Sequence, residues 1–343
     1  MNNTKNIKQR KKDHLKIALN ESSQIGSAGF DKYQFIHNAL PEINFDEIDL
    51  STTFLGKKVN YLFFVSCMTG GMAEGKRINR NLAHAAQKYG IAMGVGSQRI
   101  AIENPKLKDL FMVRDDAPDI PLIANVGLVQ LNYGFSEKEF QEIINMINAD
   151  ALAVHINLIQ EVIQPEGDRN FKDLLPKLKK LIPKLSTPVI AKEVGFGLSK
   201  NVIKRLYKVG VRIFDTARWG GTNWAVIEGM RREGFENLGK LFGEWGIPTT
   251  DSITIANKLR KEFTDKITIL GSGGIRNGIQ IAKAIALGSD LVGIAQPFAK
   301  AALVSQEEVE KLIERLAYEL KVAMFGVGAK NVQELRKIKL IKQ

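Results

Sequence analysis

Apolar runs recur along this chain, centred near Leu62, Met93, Ile123, Ala153, Ile190, Ile213, Thr268 and Val292, mostly about 23–37 residues apart. Several are rich in β-branched residues, as in Lys266-Ile267-Thr268-Ile269-Leu270, the composition of parallel strands buried on both faces. Between them lie stretches with helical spacing, among them residues 78–89, 140–147 and 202–207. This alternation predicts successive βα units. The sixth interval is near 55 residues and holds residues 229–248, rich in Arg, Glu and Gly, which reads as an insertion between strands 6 and 7. Eight strands in series, with no region of different composition between them, predict an α/β fold, a (β/α)8 TIM barrel over residues 51–329. A doubly wound open sheet is the alternative, and it usually has fewer strands. Residues 306–325 read as a long amphipathic closing helix.

The flanks differ in charge. Residues 1–50 predict an arm and a barrel cover: a basic helix from about Gln9, a polar link over residues 21–29, and a covering hairpin between Phe35 and Leu50. Of the net charge of +12, +5 falls in residues 1–20 and +4 in a basic tail over residues 330–343, leaving +3 for the body. That placement argues against a nucleic-acid groove across the barrel. Basic tails are most often solvated ends; capture of an anionic small substrate is the sharper alternative. RNA binding by the tails is a third reading, disfavoured because they lack interleaved aromatics. A single cysteine excludes a disulfide framework and a cysteine metal site, which fits a reducing cytoplasm. No run approaches the ~18–20 apolar residues of a membrane span. The charged N-terminus lacks the apolar segment of a secretory signal.

A barrel builds its active site at the carboxyl ends of its strands. Here those ends read Met68-Thr69-Gly70-Gly71, Gly96-Ser97-Gln98-Arg99, Asn125, His155-Ile156-Asn157, Lys192-Glu193 and Gly220-Gly221-Thr222-Asn223-Trp224. The last two are Gly271-Ser272-Gly273-Gly274-Ile275-Arg276-Asn277-Gly278 and Ala295-Gln296-Pro297. A glycine turn between strand and helix brings backbone N–H groups and a helix N-terminus to an anion, and Arg276 can add a fork of donors. A plain tight turn is the blander reading. The dinucleotide fingerprint fails because Arg276 takes the third glycine position, so the turn points to a mononucleotide phosphate, held with the next turn as in other barrels.

These strings resemble the FMN-dependent type 2 isopentenyl-diphosphate isomerases. The likeness runs from about Arg10 to Asn331 and includes Arg10-Lys11-x-x-His14, Met68-Thr69-Gly70-Gly71, Gly96-Ser97-Gln98-Arg99 and His155-x-Asn157-x-x-Gln160-Glu161. It also includes Gln164-Pro165-Glu166-Gly167-Asp168-Arg169, Gly220-Gly221-Thr222-Asn223-Trp224 and Gly273-Gly274-Ile275-Arg276. The resemblance implies interconversion of isopentenyl and dimethylallyl diphosphates by a homo-oligomer, tetramer or octamer. FMN would act in its reduced form, primed by NADPH or NADH, with Mg2+ on the diphosphate. It would place Met68, Thr69, Ser97, Asn125, Lys192 and Thr222 along the flavin, and Gly274, Ile275, Arg276, Ala295 and Gln296 at its phosphate. Arg10, Lys11, Ser97, Gln98, Arg99, His155, Asn157 and Gln160 would hold substrate, with Glu161 on the metal and Lys192, His155 and Gln160 in the chemistry. The chain departs from the family pattern at Cys67, Ala217, Arg218 and Trp219, all near one flavin edge.

Each assignment has a blander alternative. Lys192 ends an apolar strand and either reaches solvent or holds reduced flavin anionic. At ~4 Å and an effective dielectric of ~20 that attraction is roughly 4 kcal/mol. Glu161 is a solvated loop acid or a metal ligand, since Mg2+ takes one or two carboxylates plus phosphate oxygens. His155 is a satisfied core histidine or, sharing a strand face with Asn157, a ligand contact. His14 is a cap, a surface residue or part of a lid with Arg10 and Lys11. Cys67 reads as a small buried packer, and Trp224 either packs or bounds the pocket. An FMN oxidoreductase of the 2-hydroxy-acid oxidase or enoate reductase kind is the rival activity.

Overall fold

The computed structural model describes residues 13, 17, 26–68, 73–217, 220–231 and 234–343. Eight parallel strands close into a barrel: β1 (Phe63–Val65), β2 (Met93–Gly94), β3 (Leu122–Gly127), β4 (Ala151–Ile156), β5 (Val189–Glu193), β6 (Ile213–Asp215), β7 (Thr268–Ser272) and β8 (Leu291–Ile294). Neighbours follow chain order, and β8 returns to β1 with Val292 opposite Phe63. The expected (β/α)8 barrel is therefore the observed fold.

The period-2 alternation of a strand sorts residues between the barrel lumen and the helical shell. Phe64, Ile123, Ala153, Ile190, Ile213, Leu270 and Leu291 share one apolar cluster inside. Gly293 belongs there because a Cβ would lie 2.9 Å from both Phe64 Cζ and Ser272 Cβ. Phe54 and Val59, from a hairpin of strands Thr52–Phe54 and Lys57–Val59, join that cluster, and Phe54 stacks on Phe64. The same alternation carries polar residues inward one step further along: Asn125 two after Ile123, His155 two after Ala153, Lys192 two after Ile190, and Asp215 two after Ile213.

Two expectations change. The covering hairpin lies at residues 52–59, not between Phe35 and Leu50, where Tyr33–Phe35 instead pairs antiparallel with Leu340–Lys342. The basic segment after residue 330 is docked: helix Val332–Leu335 has its first turn capped by Asn331, and Arg336 bonds Asp290 at 2.9 Å. Its charges stay exposed while its backbone pairs, which a charge count cannot reveal. The closing helix runs Gln306–Val327, capped by Ser305 on Glu308 N and stopped at Gly328 with φ 73°. Helix Glu236–Leu241, within residues 229–248, crosses the preceding helix Trp224–Met230 where a Cβ on Gly229 would come 2.8 Å from Gly239 Cα. The glycines noted in the sequence serve that crossing.

Candidate active site

Four clusters line the carboxyl end of the barrel. At its centre Lys192 Nζ meets Asp215 Oδ2 at 2.7 Å, both nearly fully buried. Asp215 also accepts from Ser272 Oγ and, at 3.3 Å, from Ala217 N. The lysine neither reaches solvent nor stands as a lone cation, because its partner enters the lumen from the adjacent strand. Beside it, Glu193 takes the amides of Gly195, Phe196 and Gly197. Burial pushes its carboxyl up to about 7 despite those donors.

Next to this pair His155 Nδ1 lies 2.9 Å from Asn125 Oδ1. An amide oxygen can only accept, so the ring proton sits on Nδ1 and Nε2 is left as an acceptor. Burial first, then the charges of Lys192 and Arg99, push His155 down to about 4. Asn125 also bonds the Cys67 side chain, whose thiol burial pushes up to about 11. That thiol occupies the space a Cβ on Gly94 would need, so the departure from the family pattern at Cys67 is accommodated by packing. The histidine shift sets a sign. An unfolded His155 takes up a proton below pH 6.5 and the folded one only near 4, so the fold loses stability as pH falls across that window. Urea melts at pH 7 and 4.5 should show His155→Asn losing roughly 2 kcal/mol less than the parent over that interval; equal losses would contradict the assignment.

The third cluster spans the ends of β2, β3 and β4. Arg99 Nε donates to Glu103 at 2.6 Å and its Nη1 pairs with Asp168. Asp168 accepts from Gln130 Nε2 at 2.9 Å and gives its own amide to Glu161 Oε2 at 2.7 Å. Glu161 Oε1 accepts from Asn157 Nδ2 at 2.6 Å, and burial pushes its carboxyl upward. Asn157 Nδ2 also reaches Gln160 Oε1 at 3.1 Å, and Gln160 Nε2 donates to Glu228 at 3.0 Å. Fully buried Glu228 pairs with Arg231, which bonds Glu166 at 3.0 Å and approaches Asp13 of the arm to 3.9 Å. Gln98 behaves differently. Fully buried, it bonds Ile143 O at 3.0 Å and Asn125 N at 3.0 Å, so its side chain ties β3 to the helix Glu137–Met146. The side chain expected to hold substrate is thus engaged in bonds within the barrel wall.

The fourth cluster is the turn after β7. Gly273 and Gly274 have φ 105° and 74°, the left-handed region open to glycine. A Cβ on Gly220 (φ 79°) would come 3.2 Å from Gly274 Cα, so glycine lets the loop after β6 close over this turn. Arg276 bonds Gly220 O at 2.9 Å and reaches Gln296 Oε1 at 3.5 Å, with burial depressing its pKa. The helix that follows does not turn its first amides to an anion as expected: Gly278 N goes to Glu319 and Gln280 N to Asn277. The glycine backbone, Arg276 and the start of helix Gln296–Val304 remain as the cradle, with Ile275 buried beneath. Met68, Ser97, Thr222 and Ala295 are part-exposed at the same end. Arg10, Lys11, His14, Thr69, Gly70, Gly71, Arg218 and Trp219 lie outside the described residues.

A closed parallel barrel with a glycine–arginine turn after its seventh strand and polar side chains at the carboxyl ends of its strands is the frame of a barrel enzyme. The FMN-dependent dehydrogenase pattern matches residues 248–342. In fold, flavocytochrome b2 with pyruvate bound matches with TM-score 0.70 at 17% identity, over 96% of this chain and 81% of that one. A mandelate oxidase variant with a monooxide FMN adduct matches at 0.62 and 16%, over 96% and 91%. In sequence the chain is 46% identical over 335 residues to isopentenyl-diphosphate delta-isomerase of Rickettsia bellii (strain RML369-C), covering 97% of each. It is 46% identical over 331 residues to that of Nostoc sp., covering 95% of this chain and 93% of the other. The chain belongs to the isopentenyl-diphosphate delta-isomerase family and is an FMN-binding isomerase.

Proposed function

We propose that this protein interconverts isopentenyl and dimethylallyl diphosphates by protonation and deprotonation at reduced FMN, with NADPH or NADH as priming reductant and Mg2+ on the diphosphate. The observation that supports the reading is the presence of two unlike polar clusters at the carboxyl end of one barrel. The cradle after β7 and β8 stands opposite the Arg99–Asn157–Glu161 cluster at the ends of β2 to β4. The mandelate oxidase and flavocytochrome b2 structures share the fold at 15–18% identity, which carries no activity, and a 2-hydroxy acid would not call for a carboxylate beside the cation.

Gly274, Arg276 and the backbone at Ala295 and Gln296 would hold the flavin phosphate, and Met68, Thr69, Ser97, Asn125, Lys192 and Thr222 would border its ring. Bound reduced flavin supplies the proton donor and acceptor that a weakly basic alkene requires. Around it the chain does the rest. Lys192, fixed by Asp215, presents positive charge from below. Asn157 and Glu228 orient the Gln160 amide. Arg99, His155 and the arm residues Arg10 and Lys11 would take the diphosphate, and its charge would raise the His155 pKa and let Nε2 become a donor.

For Mg2+ the donor set fits. Asn157 Oδ1 is buried with no partner, next to Glu161. No group of three or more His, Cys, Asp or Glu side chains among the described residues could hold a metal, so the ion would depend on substrate oxygens and water, as Mg2+ commonly does. Glu161→Gln should raise the Mg2+ concentration for half-maximal turnover by roughly tenfold or more; an unchanged titration would remove Glu161 from the site. No helix among the described residues is long and apolar enough to cross a membrane, and we place the enzyme in the cytoplasm as a tetramer or octamer. The test of the activity is formation of dimethylallyl diphosphate by the reduced, FMN-loaded protein.

A further inference from the structure

We propose that Asp168 is a positioning residue that sets Arg99 for the diphosphate and links it to Glu161, so that substrate and metal affinities rise and fall together. The inference rests on the reading of Arg99 and Glu161 given above, and it concerns a residue with no role in that reading.

Asp168 is 8% exposed and works from both its side chain and its backbone. Its Oδ2 receives Arg99 Nη1 and Gln130 Nε2, while its N–H donates to Glu161 Oε2 at 2.7 Å. Glu103 holds Arg99 Nε on the opposite side. The guanidinium is thus fixed along two edges, and Nη2 has no hydrogen bond or ion pair among the described residues. An arginine held in this way presents its remaining N–H groups without losing further rotamer freedom on binding. Gly167 makes the other half of the link. A Cβ there would overlap the Glu161 carbonyl, coming 2.7 Å from its carbon, so glycine alone brings the Asp168 amide onto the Glu161 carboxylate.

The two ends of this network carry matching vacancies in their bonding. Gln130 Oε1, on the Asp168 side, and Asn157 Oδ1, on the Glu161 side, are both buried acceptors without a partner. Both residues are more than nine-tenths buried. Water held by a hydrated cation satisfies acceptors of this kind. A cation settling at Glu161 would therefore strengthen the frame that carries Arg99, and a diphosphate on Arg99 would strengthen the frame that carries Glu161. Such coupling is reciprocal for binding.

The test is calorimetric titration of inorganic pyrophosphate into oxidised, FMN-loaded protein, with and without Mg2+, for the parent and for Asp168→Asn, which keeps shape and the backbone bond but removes the charge. We expect pyrophosphate affinity in Mg2+ to fall roughly tenfold or more, and its enhancement by Mg2+ to shrink. The KM for isopentenyl diphosphate should rise in step, with kcat within about threefold of the parent. Parental affinity and KM would overturn the proposal, as would a fall in kcat with KM unchanged. If Asp168→Asn cannot be obtained folded, Gln130→Met loosens Asp168 without touching its charge. Weaker Mg2+-dependent pyrophosphate binding in that variant supports the link, and parental binding overturns it. Failure of the isomerase reading would show separately, as a parent protein that makes no dimethylallyl diphosphate.

Discussion

Lys192→Ala should strip most of the flavin from the protein, abolish measurable isomerisation and lower stability by about 3–5 kcal/mol, the usual cost of removing one partner from a buried ion pair. The geometry explains why the effect is large. Lys192 and Asp215 are 2.7 Å apart inside the lumen, and without the lysine a buried carboxylate keeps only Ser272 and the Ala217 amide. Stability and flavin affinity can be separated with Lys192→Met combined with Asp215→Asn. That pair should regain much of the stability while flavin binding and turnover remain impaired. Denaturant melts and the flavin absorption of each variant report the two quantities. Full flavin occupancy and parental turnover in Lys192→Ala would refute the central role of this residue. The Asp215 charge also makes the ~4 kcal/mol expected for an unshielded lysine beside the flavin an upper bound.

Gly167→Ala should have the second largest effect, and through a different part of the molecule. Its Cβ cannot coexist with the Glu161 backbone, so the loop over residues 164–169 must shift. Overpacking of this kind typically costs ~1–3 kcal/mol, here concentrated on the bond between Asp168 N and Glu161. We expect turnover to fall roughly a hundredfold or more, as when a site is displaced by about 1 Å, with flavin content near normal because the cradle we propose for FMN follows β7 and β8, across the barrel. Flavin content from absorption and turnover across a Mg2+ titration would check this. Parental kinetics would show that the loop does not set the Glu161 carboxylate that we propose for the metal.

The barrel was legible because strand burial leaves a periodic apolar trace. All eight expected centres fall in or beside the observed strands, from Leu62 one residue before β1 to Val292 within β8. The hairpin was misplaced because a three-residue strand such as Thr52–Phe54 is too short to show alternation. Lys192, Asn157 and Glu161 stood out by their place at strand ends and by motif. Sequence alone does not single out Asp215, Ser272, Glu228 or Arg231, since pairing across 23 or 57 residues leaves no local signal. Parity offers one clue: Asp215 follows Ile213 by two, as Lys192 follows Ile190, so both must enter the lumen. Glu228 and Arg231, three apart across the end of helix Trp224–Met230, offer a weaker one. A strand-end motif likewise does not reveal which way the Gln98 side chain turns.

The most direct measurement is anaerobic turnover of the dithionite-reduced, FMN-loaded protein supplied with isopentenyl diphosphate and Mg2+ and no nicotinamide. The account predicts many dimethylallyl diphosphate molecules per flavin, with the flavin still reduced at the end. Flavin oxidised in step with a saturated diphosphate ester, the alkene having taken up its two electrons and two protons, would mean that the barrel runs net redox chemistry, and no dimethylallyl diphosphate at all would contradict the isomerase reading.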